Sequence, residues 1–256
     1  MSNESAEKMD VMMTVLLNHF HSLCYNDAGV LLVDLARHFL TLLLKIFDRM
    51  VFPTHACSHV QFLLFRLTSL HESFPGIFLD FLWEKFQDFN TPAVLRQTCA
   101  AYIASYIARS KFIPMMMAKL CLSIMMRRIH EYLDGCSPDN MKPEVKLHGP
   151  FFSLCQAVFY VFVFRHKALL DSPDGLKFSR QLDFERVISS RHNPLKEVAL
   201  KNVLYLTTYC PALRDGVWEL IFPSDALYRF VTPEVKVQQQ EQANLLDCHS
   251  PLTPTV

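Results

Sequence analysis

The stretch HGPFFSLCQAVFYVFVFRHK, residues 148–167, decides the fold class. Fourteen residues lie between Pro150 and Arg165, and five of them are phenylalanine. Only Ser153 and Gln156 among them are strongly polar. As a helix this run would be about 21 Å long at 1.5 Å per residue, which is too short for the roughly 30 Å hydrocarbon core of a bilayer. A helix that is apolar all round is buried on several sides, so we predict a core helix rather than a membrane span or a cofactor pocket.

The remaining sequence shares this helical character. Apolar residues recur at helical rather than strand spacing, and only six glycines occur in the chain, which disfavours the many tight turns of an all-β domain. Thr91-Pro92 has the residue types of an N-cap and a first helical position, and Gly135 those of a left-handed C-terminal cap. The predicted helices cover approximately residues 9–24, 30–51, 57–70, 74–87, 92–110, 114–135, 150–170, 182–192, 194–208, 212–221 and 225–231.

These helices fall into pairs whose first members start near residues 7, 55, 92 and 150. Such spacing suits an all-α, HEAT-like helical-repeat α-solenoid, in which each pair buries its apolar face against its neighbours. An irregular helical bundle is the alternative. We expect one helical-repeat domain over residues 1–233, followed by a C-terminal tail over 234–256 that is partly helical and then disordered.

Composition narrows the class of protein. Lysine plus arginine and aspartate plus glutamate balance at 25 each, so no global charge attracts the chain to nucleic acid or anionic lipid. The first residues lack the basic start and apolar core of a secretory signal. Eight cysteines are scattered singly without a Cys-x-x-Cys pair, which indicates free, mostly buried thiols in a reducing compartment.

Motifs of catalysis and metal binding are missing from the sequence. There is no G-x-S-x-G elbow, P-loop or dinucleotide fingerprint. His55 and His59 would share a helix face, but Cys57 would point away and no second ligand pair follows at zinc-finger spacing. We therefore expect no enzyme, no cofactor and no metal site.

Basic residues cluster at or near the ends of predicted helices. Cations there can simply complement the helix dipole. Alternatively, helix ends along one edge of a solenoid form a basic surface for an acidic partner or a phosphate, and Ser110 would be placed where phosphorylation reverses local charge. The candidates for this surface outside the ARSK segment (108–111) are Arg127, Arg128, Arg165, Lys167, Arg186, Arg191 and Lys196.

Several ordered stretches resemble one known family. They read FPTHACSHVQFLLFRL (52–67), FLDFLWEKFQD (78–88), TPAVLRQTCAAYIASYIARSKFIP (91–114), LHGPFFSLCQAVFYVFVFRHKALL (147–170) and LDFERVISSRHNPLK (182–196). Over about residues 8–196 the chain resembles the RNA polymerase I-specific transcription initiation factor family, transcription initiation factor IA. The most specific pieces are HGPFFSLCQAVFYVFVFRHK and NPLK.

The resemblance implies a non-enzymatic HEAT-repeat protein of the nucleus and nucleolus. Its implied partners are RNA polymerase I and the promoter-bound selectivity factor of ribosomal RNA genes, with a homodimer as a further form and phosphorylation as its regulation. It also implies contact with the promoter factor through an element of the LARAKFIP type, in which Ile107 and Ser110 replace the usual leucine and alanine. The matching residues in that element are Ile107, Ala108, Arg109, Ser110, Lys111 and Phe112.

The resemblance also implies a partial, rearranged copy. The chain starts where the family's second half begins, and residues 199–221 faintly resemble a helix pair that the family carries upstream. The alternative function is accordingly a diverged or truncated helical-repeat copy that only binds partners, or binds nucleic acid through its basic helix ends. Nucleic-acid contact is otherwise expected to be weak or indirect, and no membrane association is expected.

Overall fold

The computed structural model describes residues 3–54, 61–135, 148–192 and 194. Within these ranges every regular element is helical, and the one β-type contact is an isolated antiparallel bridge between Tyr25 and Leu31. The helices are α1 (Asn3–Cys24), α2 (Val33–Ile46), α3 (Gln61–Thr68), α4 (Phe74–Gln87), α5 (Ala93–Arg109), α6 (Met115–Gly135), α7 (Gly149–Leu170), α8 (Gly175–Gln181) and α9 (Phe184–Ile188). A π-helical turn, Phe47–Val51, follows α2 directly.

The chain divides into two compact units, residues 1–114 and 115–256. In unit 1 the most extensive helix pair is α4 with α5, and in unit 2 it is α6 with α7. The sequence pattern predicts α4 and α6 as the second helices of their pairs. In the structure, each is the first helix of the main pair in its unit. The prediction of a single domain over residues 1–233 stays a prediction, because the whole chain after Pro194 lies outside the described residues.

Aromatic side chains build the core of unit 1. The Phe47 ring meets the ring of Phe78 edge-on at 5.7 Å and that of Tyr102 at 5.1 Å. Tyr106, fully buried, lies at 5.0 Å from Phe78 and 4.7 Å from Phe65. Edge-to-face pairs of this kind add to area burial, so these rings fix α3, α4 and α5 against the turn after α2.

The NDAG segment, residues 26–29, lies between α1 and α2. The Asn26 side-chain oxygen accepts hydrogen bonds from the backbone nitrogens of Ala28 (3.1 Å) and Val30 (2.8 Å). Gly29 has a φ of 73°, a left-handed conformation that glycine adopts without strain. Asparagine and glycine thus reverse the chain before α2.

In unit 2, α6 and α7 run antiparallel. At one end the rings of Tyr132 and Phe151 stack at 4.7 Å, and at the other Lys119 Nζ donates to the Pro173 carbonyl at 2.8 Å. The Phe184 ring, from α9, packs on Phe159 at a centroid distance of 5.5 Å. Helix α7 is therefore covered by helices on more than one side.

Burial of α7 confirms the core interpretation of its apolar run. The side chains of this run that are at most 5% exposed are Phe151, Phe152, Leu154, Cys155, Ala157, Val158, Phe159, Val161, Phe162 and Val163. Phe164 departs from the predicted core helix, since it is 52% exposed and contacts Tyr160 of its own helix at 4.4 Å. No helix of the described residues is long and apolar enough to cross a membrane.

Two predicted caps differ in the structure. Gly135 is the last residue of α6, and among the glycines described only Gly29 has a positive φ, so Gly135 is not a left-handed cap. Pro92 occupies the N-cap position of α5, and the Thr91 hydroxyl donates to Asp88 at 3.3 Å instead of accepting from the helix. The acceptor of that hydroxyl hydrogen is the carboxylate of Asp88, at the end of α4.

Candidate protein-interaction surface

The element at residues 107–112 lies where α5 ends. Ile107 is fully buried and Ser110 is 5% exposed, while Ala108 is half-buried. Arg109, Lys111 and Phe112 are exposed, Phe112 by 40%. The element therefore alternates between residues that anchor it and residues that it presents to solvent.

Backbone hydrogen bonds fix this alternation. The Ser110 amide donates to the Tyr106 carbonyl at 3.0 Å and ends the helix, and the Ile113 amide donates to the Ser110 carbonyl at 3.2 Å. Ile113 is 2% exposed, so the turn is held by buried residues on both sides. The Phe112 ring keeps an edge contact with Tyr106 at 6.0 Å. Two cations and an aromatic ring are thereby held at the surface by a rigid support.

Burial bears on the suggestion that Ser110 is a phosphorylation site. Its side chain faces the interior of unit 1 at the end of α5. A kinase needs the hydroxyl in an accessible segment, so the turn between α5 and Pro114 would have to open first.

The basic residues of unit 2 divide between the two ends of the α6–α7 pair. Arg127 and Arg128 lie in the C-terminal half of α6, towards the end where Tyr132 meets Phe151. Arg165 and Lys167 lie in the last turns of α7, at the opposite end. Because the helices are antiparallel, their C-terminal cations do not gather on one edge, and the expected single basic edge is not formed within this unit.

Carboxylates accompany the cations at the end of α6. Arg186 of α9 pairs with Asp134. The Arg128 guanidinium lies 3.3 Å from the Glu131 carboxylate, and that of Arg127 lies 3.9 Å from it. Exposed pairs of this kind contribute only about 0–1 kcal/mol to stability, but they lower the positive charge of this end.

The last candidates have different environments. Lys167 is exposed, whereas Arg165 is half-buried and burial lowers the pKa of its guanidinium. Arg191 is exposed next to the buried His192. Lys196, like the His55 and His59 pair, lies outside the described residues.

Sequence reasoning missed a basic group at the α7–α8 turn. Lys119 of α6 reaches the Pro173 carbonyl, and Lys177 and Arg180 of α8 line an open surface depression of about 660 Å³ together with Ser172. These cations come from two elements separated by more than fifty residues in the chain. Only the antiparallel packing of α6 and α7 brings them together, so no local cluster marked them.

Sequence reasoning also missed a second cluster. It consists of Tyr132, His148 and His192, and we call it the histidine seam. The rings of His148 and His192 lie 4.6 Å apart, and both residues are at most 4% exposed. The Tyr132 hydroxyl forms a hydrogen bond with His148 Nδ1. Burial, followed by the neighbouring His148, lowers the pKa of His192.

We next consider metal-binding clusters and reactive thiols among the described residues. They contain no group of three or more histidine, cysteine, aspartate or glutamate side chains that could hold a metal ion. Burial raises the pKa of the Cys99 thiol to about 12, and burial also raises the pKa of the Cys155 thiol. Because the thiolate is the reactive form, these cysteines act as apolar core residues.

Comparison with known proteins gives a consistent result. The sequence profile of the family described as RNA polymerase I specific transcription initiation factor RRN3 matches residues 1–199. RNA polymerase I-specific transcription initiation factor RRN3 of Mus musculus is 43% identical over 202 residues, which cover 77% of this chain and 30% of that protein. The factor rrn3 of Schizosaccharomyces pombe is 32% identical over 223 residues, with 77% of this chain and 37% of that protein covered.

A solved structure shows the fold. The crystal structure of RNA Polymerase I Transcription Initiation Factor Rrn3 superposes with a TM-score of 0.71 at 21% identity, covering 84% of this chain and 43% of that chain. This likeness confirms the predicted all-α, HEAT-like helical-repeat α-solenoid class. The chain spans about a third of the length of the curated relatives that it matches. On the profile match over most of its length, the chain belongs to the RNA polymerase I-specific transcription initiation factor RRN3 family.

Proposed function

We propose that the chain is a non-enzymatic interaction factor that links RNA polymerase I to the promoter-bound selectivity factor in ribosomal RNA gene transcription. Its place of action would be the nucleolus. The proposal is supported by the family match over residues 1–199 and by the all-α repeat fold, which offers extended helical surfaces for partners.

One observation carries the proposal, namely the geometry of residues 107–112. Ile107 and Ser110 anchor this element in the core, while Arg109, Lys111 and Phe112 stand at the surface. A preorganised support reduces the entropy lost on binding. Arginine and aromatic residues are enriched among the residues that dominate interface energies. The exposed triplet therefore suits an acidic protein surface with an apolar pocket, and we assign it to the promoter factor.

The alternative is a diverged or truncated copy that only binds partners, or that binds nucleic acid through its basic helix ends. The pairing of Arg127 and Arg128 with Glu131, and of Arg186 with Asp134, weakens the nucleic-acid version. Each cation that is already neutralised releases fewer counterions from a phosphate backbone. Of the two versions, partner binding is the better supported.

A binding assay with purified components tests the proposal. The full chain is immobilised and incubated separately with RNA polymerase I and with the selectivity factor. We expect both to be retained, and the double variant Arg109→Glu, Lys111→Glu to lose retention of the selectivity factor by about tenfold or more while it still retains the polymerase.

The control is the double reversal Lys45→Glu, Arg49→Glu, at exposed positions of α2 and the following turn. It makes the same change in charge and should bind both partners normally. Circular dichroism verifies that both variants fold. A folded chain that fails to retain one of the two partners would reject the linking role. Light scattering on the same samples tests the homodimer, and binding of a DNA duplex that falls steeply with salt would favour the nucleic-acid alternative.

A further inference from the structure

The turn between α7 and α8 presents a serine followed by a proline. Asp171, Pro173 and Asp174 are exposed, and the half-buried Ser172 lines the open depression described above. The turn is short and defined, since the Gly175 amide donates to the Ser172 carbonyl at 2.9 Å. A Ser-Pro pair in an exposed turn is the substrate pattern of proline-directed protein kinases.

Three cations from two helices lie at or beside this turn. Lys119 Nζ lies 2.8 Å from the carbonyl oxygen of Pro173, the residue next to Ser172. Lys177 and Arg180 line the same depression as Ser172. The ammonium of Lys119 is also held over the Phe178 ring at 5.5 Å, which keeps it at this end of α6.

We propose that Ser172 is a phosphorylation site for a proline-directed serine kinase, and that Lys119, Lys177 and Arg180 hold the resulting phosphate. Asp171 and Asp174 oppose it with two negative charges, but three cations outweigh them. A phosphoserine carries about −1.5 to −2 charges at neutral pH and forms one to three charge-assisted hydrogen bonds with such cations. The modification would bridge α8 to α6, two elements that meet here through the Lys119 contact.

The chemistry is a simple phosphoryl transfer. ATP bound to the kinase supplies the γ-phosphoryl group. The bond between Ser172 Oγ and phosphorus forms as the bond between the γ-phosphorus and the bridging oxygen breaks, and ADP leaves. The hydroxyl proton passes to the catalytic base of the kinase.

The turn can accept this change. In the unmodified chain Ser172 Oγ donates to the Leu169 carbonyl, and that donor is lost in the ester. The Leu169 carbonyl still accepts from the Ser172 amide at 3.3 Å, so it keeps a partner. The side chain is then free to turn outward to the cations.

The first experiment locates the site. The full chain is treated with a recombinant mitogen-activated protein kinase and ATP, and phosphopeptides are mapped by mass spectrometry. We expect phosphate on Ser172 in the wild type and none at this position in Ser172→Ala. Pro173→Ala retains the carbonyl that Lys119 contacts but removes the kinase determinant, so labelling of Ser172 should fall about tenfold. Labelling of other Ser-Pro or Thr-Pro sites without Ser172, or equal labelling in Pro173→Ala, would overturn the site.

The second experiment tests capture of the phosphate. A free phosphoserine has a second pKa of about 6, and nearby cations lower it. Titration by ³¹P NMR should give Ser172 phosphate in the folded chain a pKa about half a unit below that in a peptide of residues 167–177. In the double variant Lys177→Gln, Arg180→Gln this difference should shrink, whereas Lys45→Gln in unit 1 should leave it unchanged. The same pKa in folded chain and peptide would show that the cations do not hold the phosphate.

Discussion

The hydroxyl of Tyr106 donates a hydrogen bond to Thr68 Oγ1 at 2.7 Å, and both residues are fully buried. The Thr68 hydroxyl in turn donates to the Phe65 carbonyl at 3.0 Å. This short chain of hydrogen bonds joins α5 to α3 inside an aromatic core. Burial raises the pKa of Tyr106, so the phenol stays protonated and remains a donor over the whole neutral range.

Removing either hydroxyl should destabilise unit 1, and removing both should cost less than the sum. Tyr106→Phe leaves the Thr68 oxygen without its donor, and Thr68→Val leaves the Tyr106 phenol unsatisfied. Each should lower the free energy of unfolding by about 1–3 kcal/mol, since a buried polar group without a partner carries its desolvation cost. Urea denaturation of both single variants and the double variant measures the coupling. Strict additivity would contradict a direct hydrogen bond between the two side chains.

Replacement of Phe159 by aspartate should unfold unit 2. Phe159 is 5% exposed and stacks on Phe184 at 5.5 Å, so the substitution both removes a packed ring and buries an unpaired carboxylate. The loss should exceed about 3 kcal/mol, the lower end for removal of a core phenylalanine. Phe164→Asp is the matched control on the same helix, because Phe164 is 52% exposed and should tolerate the charge. If the wild type and Phe159→Asp unfold cooperatively at the same temperature in a calorimeter, the assignment of Phe159 to the core of unit 2 is contradicted.

The sequence was most informative where a local pattern is sufficient. The limits of α4 were predicted at residues 74–87 and are observed there, because its apolar bulk and flanking turn residues define a helix by themselves. The buried run of α7 was predicted from its composition alone, since only Ser153 and Gln156 of its fourteen residues are strongly polar and apolar side chains favour burial. The exposure of Phe164 was not predicted, because nothing in the local sequence shows which face of α7 a neighbouring helix covers.

Long-range packing explains what the sequence did not reveal. Helices α6 and α7 both carry basic residues in their C-terminal halves. Because the two helices are antiparallel, these residues lie towards opposite ends of the helix pair. Lys119 approaches Pro173, and Arg186 approaches Asp134, across more than fifty residues of chain. The histidine seam needs α6, the start of α7 and the turn after α9 together. No periodicity or spacing contains those contacts. Which residues of 107–112 bind a partner stays a prediction.

Acidification should weaken unit 2 through His192. Its pKa in the folded state is lowered by burial and by His148, so the unfolded chain takes up the proton first. Stability rises with pH wherever the unfolded state binds more protons. The stabilising contribution is therefore fully present above about pH 6.5, the ordinary value for histidine, and is lost as the pH falls below it towards the lowered value.

Urea denaturation measures the free energy of unfolding of the wild type and of His192→Phe at pH values between about 5 and 8. The variant keeps an aromatic ring beside Tyr132 and His148 but cannot titrate, so the part of the slope below about pH 6.5 should become flatter. His19→Phe, an exposed position on α1, is the control and should leave the slope unchanged. An equal slope in wild type and His192→Phe would show that His192 does not couple protons to folding.

Two glycines should respond to alanine in opposite directions. A Cβ atom at Gly175 would lie 1.9 Å from the Leu169 carbonyl oxygen, so Gly175→Ala must push α8 away from the end of α7. Overpacking of this kind costs about 1–3 kcal/mol. At Gly76, inside α4, a Cβ meets nothing within 4 Å, and Gly76→Ala should stabilise by about 0.5–1 kcal/mol because alanine loses less backbone freedom in a helix. Thermal unfolding of the two variants should therefore shift the midpoint down for Gly175→Ala and up for Gly76→Ala. A harmless Gly175→Ala would mean that the close approach of α8 to Leu169 is not required, and with it that the turn holding Ser172 is not fixed as described.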